Sequence, residues 1–446
     1  MVKMDFNALS KIMKDAGVAG AGGAGFPSYA KLNKAADTII LNCAECEPLL
    51  KLHRQVLQFH AEEILDALSV IAETVEATKV IIAVKPSYKE AIAAVNKYIS
   101  NYPNTEIGLL PEIYPAGDEV ITIYETTGRV VPPGKIPIAV GVTVFNVETA
   151  LNVARALRES APVTYKYITI CGEVRNPVTL KAPLGMTYGE LIELAGGATV
   201  ENPVLIAGGP MTGNIAHKND VVTKTSNAIL VMPEHQYIVA KRLTPLSIDM
   251  KRAMSVCCNC RMCTDLCSRN LLGHPIDPQR FMQVATSGVA TDTKPYIGTF
   301  FCSACGLCEM YACGQGLNPR TMISATKGML RKNGIKIPDD IVADKVSSTR
   351  EYRKVPMERL TARLGLEKYN LPAPLSEELV GTKRVKIMLS QSIGAPAVAA
   401  VKAGDTVKAG DVVGAPAENA LSLPVHASVN GVVAEVTDKY VLIEAK

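Results

Sequence analysis

A chain of 446 residues is long enough for roughly three or four domains that each bury a core, and its 33 Gly and 27 Pro suit small, loop-rich modules. The formal net charge of +4 is mild and no basic run stands out, which argues against nucleic-acid binding. Eight of the 12 cysteines fall in two short runs, so we expect cofactor ligation in a reducing compartment and not a disulfide framework.

Neither a membrane span nor a secretory signal is expected. The longest apolar runs, such as residues 80–84, are far too short to cross a bilayer. The N-terminal stretch carries charges throughout an amphipathic helix predicted over residues 5–15, unlike the apolar core of a signal. The sequence therefore predicts a protein that is soluble, or attached to a membrane only through partners.

A glycine-rich loop follows this first helix. Gly20, Gly22 and Gly25 satisfy the G-x-G-x-x-G pattern of dinucleotide-binding folds, but that fingerprint requires a preceding strand and here a helix precedes it. A simple turn is the alternative. The density of glycine over residues 19–25 favours a loop whose backbone N–H groups admit a phosphate or a large flat ligand. Lys31, one turn into the next helix, is placed to meet a phosphate.

Strands and helices alternate through residues 1–160, which predicts a Rossmann-like α/β layer. We expect strands over residues 38–42 and 80–84 and helices over residues 62–78 and 88–99. Because they alternate, the strands are expected to form one sheet covered by the helices.

Polar side chains cluster where these strands end. Glu45 and Glu47 follow the first strand beside Asn42, and carboxylates in that position suit hydrogen bonds to ribityl or ribose hydroxyls. A solvated turn is the alternative, because charged residues favour surfaces. Two later junctions before helices carry similar side chains: Gly117, Asp118, Glu119 and Asn146.

Differences in composition and in secondary-structure pattern divide the rest of the chain into four parts. Residues 161–246 read as a β-hairpin, a helix and a further strand, an order that resembles a β-grasp module. Residues 247–330 hold the cysteines and are expected to be helical and ferredoxin-like. Residues 331–380 are charged and punctuated by proline, as in a wrapping connector. Residues 381–446 predict an all-β sandwich, because short strands alternate with Gly-Asp and Asn-Gly turns.

The cysteine runs carry the strongest signal. They read C-x2-C-x2-C-x3-C and C-x2-C-x2-C-x4-C, and close quartets of this kind hold [4Fe–4S] clusters. In two-cluster ferredoxins the fourth cysteine of a run ligates the other cluster, so two ligand sets are expected. These are Cys257, Cys260, Cys263 and Cys313 for one cluster, and Cys302, Cys305, Cys308 and Cys267 for the other. Two structural zinc sites are the alternative, although zinc favours well-separated pairs, often with His.

Two departures from the ferredoxin pattern are present. The proline that usually follows the fourth cysteine is replaced by Ser268 in one run and Gly314 in the other. The second run also has one residue more than usual before Cys313, which could shift the helix that follows. Cys258 is expected to be a bystander.

The motifs GAGGAGFPSYAKL, AECEP, YPAGDE and NVET resemble those of the FMN- and NADH-binding subunit of respiratory complex I and of the C subunit of the Rnf complex. Residues 161–246 resemble the SLBB domain that follows in both. The resemblance implies that residues 1–160 bind FMN and NADH. It implies cofactor contacts for Gly22, Gly23, Gly25, Lys31, Asn42, Glu45, Glu47, Gly117, Asp118, Glu119 and Asn146. Complex I has Arg where Ala21 stands here, and no aromatic pair for stacking nicotinamide is evident.

The order of the domains adds to the resemblance. The stretches IGAPAVAAVKAGD and PVHASVNGVV resemble the barrel-sandwich hybrid domain of the Rnf protein, without an identifiable lysine for a prosthetic group. That domain comes first in Rnf and last here. The permuted order, and the block CRMCTDLCSRNLLGH, resemble the PduS-type cobalamin reductases of propanediol-utilisation microcompartments.

This resemblance implies electron transfer from NADH through FMN and two [4Fe–4S] clusters to cobalamin, for recycling of coenzyme B12. It implies an adenosyltransferase and another iron–sulfur or shell protein as partners. The implied location is the cytoplasm, inside or attached to a bacterial microcompartment.

The residues support an oxidoreductase in their own right. A flavin accepts two electrons as a hydride, whereas a cubane passes electrons singly, so one chain that holds both can split electron pairs. No catalytic base or nucleophile of the protein is needed. An Rnf-like NADH:ferredoxin electron-transport subunit is one alternative, and a non-enzymatic carrier that serves a partner iron–sulfur protein is another.

Overall fold

The computed structural model describes residues 4–288 and 291–446. Its N-terminal part is an α/β layer around a four-stranded parallel sheet. The strands are β1 (Thr38–Asn42), β2 (Lys79–Val84), β3 (Thr105–Leu109) and β5 (Val142–Asn146), in the order β3-β2-β1-β5, with β4 (Ile113–Tyr114) outside the sheet. The helices are α1 (Phe6–Asp15), α2 (Leu52–Phe59), α3 (Ala61–Val75), α4 (Lys89–Tyr98), α5 (Glu119–Thr127) and α6 (Val147–Glu159).

Strand β1 and the edge strand β5 are buried almost throughout, as parallel strands covered by helices are, and this explains their continuous apolar sequence. The strand predicted over residues 38–42 is confirmed. The helix predicted over residues 62–78 ends earlier, at Val75, because Glu76 adopts the left-handed conformation and stops it.

The second part is a six-stranded mixed sheet in the order β12-β7-β6-β10-β8-β9, in which β12 (Leu375–Leu379) comes from a later segment of the chain. Its elements are β6 (Tyr165–Gly172), β7 (Val178–Pro183), α7 (Tyr188–Leu194), β8 (Val204–Ala207), β9 (Asn214–Ala216) and β10 (Ala228–Met232). The expected hairpin is present, because β6 and β7 pair antiparallel. A capping box between Thr187 and Glu190 begins α7.

The cysteine region is helical. It contains α8 (Tyr237–Leu243), α9 (Leu246–Val256), α10 (Met262–Asp265), α11 (Ser268–Leu271), α12 (Pro278–Ser287), α13 (Lys294–Gly298) and α14 (Pro319–Lys332). A small core of its own holds these helices together, with Phe281, Met282, Met322 and Ile323 at its centre.

The segment 331–380 does more than connect two domains. It supplies β11 (Val355–Pro356), which pairs with β4, then α15 (Met357–Arg363), and then β12 (Leu375–Leu379), which pairs with β7. It therefore supplies the partner of β4 and one of the six strands of the mixed sheet.

The C-terminal part is a sandwich of two small antiparallel sheets, in the orders β13-β19-β18-β15 and β14-β16-β17. The strands are β13 (Arg384–Met388), β14 (Val398–Ala399), β15 (Thr406–Val407), β16 (Val412–Ala415), β17 (Val425–His426), β18 (Gly431–Val436) and β19 (Tyr440–Ala445). The expected all-β arrangement is confirmed.

One hydrophobic core runs through three of these parts. Leu9 of α1, Tyr167 of β6 and Val385 of β13 belong to the same cluster of buried side chains, so the α/β layer, the six-stranded sheet and the sandwich pack as one body. Within the described residues, none of the helices is both long and apolar enough to pass through a lipid bilayer.

A buried ion pair joins the first two parts. The ammonium of Lys166 contacts the carboxylate of Glu148 on α6, and both side chains are about 1% exposed. The same ammonium donates to Oδ1 of Asn227 at 2.9 Å, and the N–H of Tyr167 donates to Glu148 at 3.0 Å. Both charges are therefore compensated in the interior.

Replacing one partner of this pair leaves the other charge buried alone. We expect Lys166→Met to lower the free energy of unfolding by about 3–5 kcal/mol. Lys79→Met is the matched control, because its pair with Glu106 is 44% and 55% exposed and should contribute no more than about 1 kcal/mol. Denaturant titration followed by circular dichroism measures both. Equal losses in the two variants would contradict this account of the buried pair.

Candidate cofactor sites

A cavity of about 440 Å³ opens at the C-terminal ends of β1 and β5, a size typical of small-molecule sites. Asn42 and Asn146 end these strands and lie opposite each other in the ladder, so the parallel register brings them to one edge. Eight of the residues that the resemblance implies line the cavity: Gly22, Gly23, Gly25, Lys31, Asn42, Gly117, Glu119 and Asn146.

The glycine-rich loop is held against the start of α6. The N–H of Ala21 donates to Oγ1 of Thr149 at 2.9 Å, and Asn146 caps the helix by accepting from Glu148. A Cβ on Gly22 would lie 2.5 Å from Nδ2 of Asn146, so this close approach requires glycine. A Cβ on Gly23 would meet no protein atom within 4 Å. The loop therefore leaves open space where a ligand can approach its backbone.

The polar side of the cavity can accept a phosphate. Nζ of Lys31 donates to the carbonyl oxygen of Val144 at 2.9 Å and lies 3.5 Å from Glu119. Ser28 also lines the cavity, and its hydroxyl is buried without a hydrogen-bond partner among the described residues. A buried, unpaired hydroxyl is costly unless a ligand satisfies it. The residues present thus fit a flavin mononucleotide, with donors for its phosphate and apolar walls for its ring.

Ser28 and Phe26 are lining residues that the sequence reasoning missed. Both lie in the segment immediately after the glycine-rich loop, so their position was the available signal. Phe26 supplies one aromatic ring at the cavity, where an aromatic pair was not evident from the sequence.

Three of the implied contact residues lie outside the cavity lining. Glu45 accepts from the N–H groups of Leu52 and His53 at the start of α2, and burial raises its pKa to about 7. Glu47 accepts from the N–H of Met211 at 2.7 Å, in the loop between β8 and β9. The structure therefore gives these two carboxylates partners within the protein.

Asp118 is the third implied contact residue that lies outside the cavity lining. Its carboxylate caps α5 and receives two N–H groups of Arg269, with distances of 2.8 Å and 2.9 Å from Nη2. Asp118 directly follows Gly117, which lines the cavity. This carboxylate therefore joins the edge of the cavity to the cysteine region.

One cysteine quartet lies beside the α/β layer, with Cys308 buried and Cys267, Cys302 and Cys305 partly buried. A second, smaller cavity is lined by Cys267, Cys302, Cys305 and Cys308 together. Burial, followed by the charges of Cys305 and Cys302, raises the pKa of the Cys267 thiol to about 12. The hydroxyl of Tyr114 donates to the carbonyl oxygen of Cys305. We call Cys267, Cys302, Cys305 and Cys308 the inner quartet.

The remaining four cysteines that are expected to be cluster ligands form a second group nearer the surface. Burial raises the pKa of the Cys263 thiol to about 12, with further contributions from Cys313, Cys257 and Cys260. These are the neighbours that the crossed assignment expects for Cys263. Cys260 is exposed to solvent, and so is Cys258. We call Cys257, Cys260, Cys263 and Cys313 the outer quartet.

The donor set fits a cluster at each quartet. Four thiolates are the ligands of a [4Fe–4S] cubane, and each cysteine run has the spacing that such clusters take. Zinc sites often include His as well. His274, close in sequence to the first run, instead donates to the carbonyl oxygen of Val131 at 3.0 Å.

The extra residue of the second run lies in a wide helical turn. Residues Cys308–Ala312 form a π-helical turn that ends at Cys313. Such turns contain one residue more than an α-helical turn and are frequent at functional sites. Backbone N–H groups of Ala304 and Leu317 contact the sulfurs of Cys302 and Cys313, both at 3.3 Å. Contacts of this kind tune the potential of a cluster.

Four family models match the chain. They are the Nuo51 FMN-binding domain over residues 13–155, the SLBB domain over residues 167–214, the 4Fe-4S dicluster domain over residues 256–318 and the RnfC barrel sandwich hybrid domain over residues 374–446. The chain thus carries an FMN-binding domain and a domain for two 4Fe-4S clusters.

Two proteins named cobalamin reductase PduS are similar over nearly the whole chain. That of Citrobacter freundii is 38% identical over 98% of this chain and 97% of its own length. That of Salmonella typhimurium is 37% identical over 99% and 98%. The chain belongs to the PduS cobalamin reductase family. The C subunit of the Na(+)-translocating ferredoxin:NAD(+) oxidoreductase complex of Acetobacterium woodii is 34% identical over 60% of this chain and 59% of its own length.

The matched ranges of this PduS family member cover both sites. The dicluster range includes all eight cysteines of the two quartets. The FMN-binding range includes every lining residue of the large cavity except Ile393, which lies in the barrel sandwich range.

The ligand sets can be tested by cysteine replacement. We expect Cys260→Ser and Cys313→Ser to lose the same cluster, and Cys305→Ser and Cys267→Ser to lose the other, because the fourth ligand crosses between the runs. Iron analysis should fall from about eight to about four atoms per chain, and electron paramagnetic resonance should assign the missing signal. Cys258→Ser is the control and should retain both clusters. Pairing of Cys313 with the inner quartet would refute the assignment.

The open space at Gly23 gives a second test. Gly23→Ala adds a methyl group that meets no protein atom, so the fold should keep its thermal stability while flavin binding weakens by roughly 5- to 150-fold through overpacking against the ligand. Fluorescence titration with FMN measures the dissociation constant. Gly381→Ala, at another open glycine that does not line the cavity, is the control. Unchanged affinity in Gly23→Ala would place the ligand elsewhere.

Proposed function

We propose that this protein is an NADH-dependent cobalamin reductase. The observation that carries the proposal is the contact between the edge of the flavin cavity and the inner quartet through Asp118 and Arg269, together with the solvent exposure of Cys260 in the outer quartet. Bound in these sites, FMN and two clusters would give electrons a route from the cavity toward the surface. The names of the two full-length relatives supply the acceptor, cobalamin.

The cofactors carry the electron chemistry, because FMN takes two electrons from NADH as a hydride and each cluster passes one electron at a time. One NADH yields NAD⁺, a proton and two electrons. Those electrons convert one cob(III)alamin to cob(I)alamin, or two cob(III)alamins to cob(II)alamin. The overall exchange is therefore balanced without any further reductant.

The protein's part is to hold these groups and to exclude water. The glycine-rich loop, Lys31 and Ser28 are proposed to bind the FMN phosphate, and Asn42 and Asn146 its ribityl chain. Arg269 fixes the inner quartet to the cavity edge through Asp118. Lys327 donates to the carbonyl oxygen of Cys302 at 3.0 Å, which adds a positive charge beside that site.

Several finer assignments belong to this proposal. They comprise the crossed ligand sets, the flavin contacts, a Rossmann-like layer over residues 1–160, a β-grasp SLBB domain over residues 161–246, a ferredoxin-like domain over residues 247–330, and a barrel-sandwich hybrid over residues 381–446. The pairing of β6 with β7 beside helix α7, in a mixed sheet, supports the β-grasp assignment.

We further propose an adenosyltransferase as the consumer of the reduced cobalamin. An iron–sulfur or shell protein is the second proposed partner, and a bacterial microcompartment the proposed location. The name of the PduS relatives supports the substrate, and the exposed Cys260 of the outer quartet supports an acceptor that docks at the surface.

An Rnf-like NADH:ferredoxin protein is the second candidate. It is favoured by the similarity to the Acetobacterium woodii protein over 60% of the chain and by the RnfC sandwich at the C-terminus. A carrier without enzyme activity is the third, and it would pass electrons to a partner iron–sulfur protein.

Anaerobic mixing of the purified protein with NADH and cob(III)alamin tests the proposal. We expect flavin bleaching followed by the absorption changes of cobalamin reduction, and Cys260→Ser should retain bleaching but lose most cobalt reduction, since it removes the outer cluster. Cys258→Ser should match the wild type in both. Bleaching with transfer to ferredoxin but not to cobalamin would support the Rnf-like candidate. Bleaching without transfer to either acceptor would favour the carrier, and absence of bleaching by NADH would contradict the proposal.

A further inference from the structure

One wall of the flavin cavity comes from the far end of the chain. Ile393 follows β13 in the C-terminal sandwich, yet it lines the same cavity as the glycine-rich loop near the N-terminus. Every other lining residue lies between Gly20 and Thr149. The sandwich therefore takes part in a site that otherwise belongs to the α/β layer.

The sandwich segment is packed directly on the glycine-rich loop. The N–H of Ile393 donates to the carbonyl oxygen of Gly25 at 3.0 Å. A Cβ on Gly25 would lie 3.3 Å from Cα of Ser392 and 3.4 Å from the carbonyl oxygen of Gln391, which shows how close the two backbones are. Gly25 also has a φ of 72°, a conformation that favours glycine.

Buried polar contacts hold this segment in place from behind. Gln391 is 7% exposed, and its side-chain oxygen accepts from the N–H of Lys224 at 3.0 Å. Nζ of Lys224 is buried and donates to the carbonyl oxygens of Gly17 at 2.7 Å and of Pro424 at 2.9 Å. The residues before the loop, the six-stranded sheet domain and the sandwich are thus tied together. These hydrogen bonds fix the backbone segment that carries Ile393.

The exposed side chain of Ile393 faces this cavity without a cover. It is 44% exposed, and Ile136, on the lining from the α/β layer, is 67% exposed. Single exposed aliphatic residues are common, but two at one cavity that also has phosphate donors indicate an apolar ligand surface. A flat heteroaromatic ring would bury them and gain hydrophobic stabilisation.

We propose that Ile393 is a flavin-positioning residue, with its side chain covering part of the isoalloxazine ring of bound FMN. This inference rests on the proposed function, since it requires FMN in this cavity. The sandwich then completes the flavin site. Because FMN would contact two domains, its binding and the docking of the sandwich stabilise each other.

Flavin release from the full-length holoprotein tests the inference. We expect Ile393→Ala to raise the dissociation constant for FMN by roughly four- to fifteenfold, which corresponds to the loss of one or two buried methylene-sized contacts. Dilution of the holoprotein, followed by the fluorescence of released FMN, measures this constant. Iodide should also quench the bound flavin more strongly in the variant, because part of the ring becomes accessible.

Two variants separate a flavin contact from a general effect on the sandwich. Val412→Ala removes an aliphatic side chain of similar exposure, 45%, that does not line the cavity, so it should leave FMN affinity unchanged. Ile393→Leu keeps the apolar area and should restore most of the affinity. Iron content and thermal stability verify that each variant is folded.

The outcomes distinguish this inference from the proposed function. If the wild type holds no FMN, the proposed function fails. If the wild type holds FMN while Ile393→Ala matches Val412→Ala in both affinity and quenching, Ile393 has no part in the flavin site and the inference is overturned.

Discussion

The ion pair between Asp118 and Arg269 joins the edge of the flavin cavity to the region of the inner quartet. The two side chains are only 9% and 17% exposed, and the guanidinium contacts both carboxylate oxygens, which makes the contact strong and directional. Asp118 also caps α5, and the residue before it lines the cavity. Centres that exchange electrons without touching need a rigid frame, and this one carboxylate connects three parts of it.

Other long-range contacts also join the parts of the chain into a rigid frame. The shared core, the buried pair of Lys166 with Glu148 and the contact of Glu47 with the β8–β9 loop all join parts that were expected to be separate modules. Parts that share a core cannot move independently without exposing apolar surface. The arrangement suits a protein in which the bound cofactors stay still while NADH and the final acceptor come and go.

The sequence predicted what local patterns encode. Strand Thr38–Asn42, the hairpin of β6 and β7 and the spacing of the cysteines depend on neighbouring residues, so they could be read directly. The placement of Glu47 could not be predicted, because its partners Met211 and Thr212 lie 164 and 165 residues away in the sequence. Ile393 was also missed, because its place at the cavity depends on long-range packing and nothing around it in the sequence resembles a binding motif. Long-range packing, not residue type, decided these positions.

The π-helical turn at Cys308–Ala312 bears on how such proteins are found from sequence. An inserted residue in a regular α-helix rotates every later side chain by about 100°, which would aim Cys313 away from its partners. A wide turn takes up the insertion locally, so the residues on either side keep their directions. Search patterns that demand a fixed gap between the third and fourth cysteine therefore exclude functional two-cluster domains of this kind. A pattern that tolerates one added residue at that gap would include them.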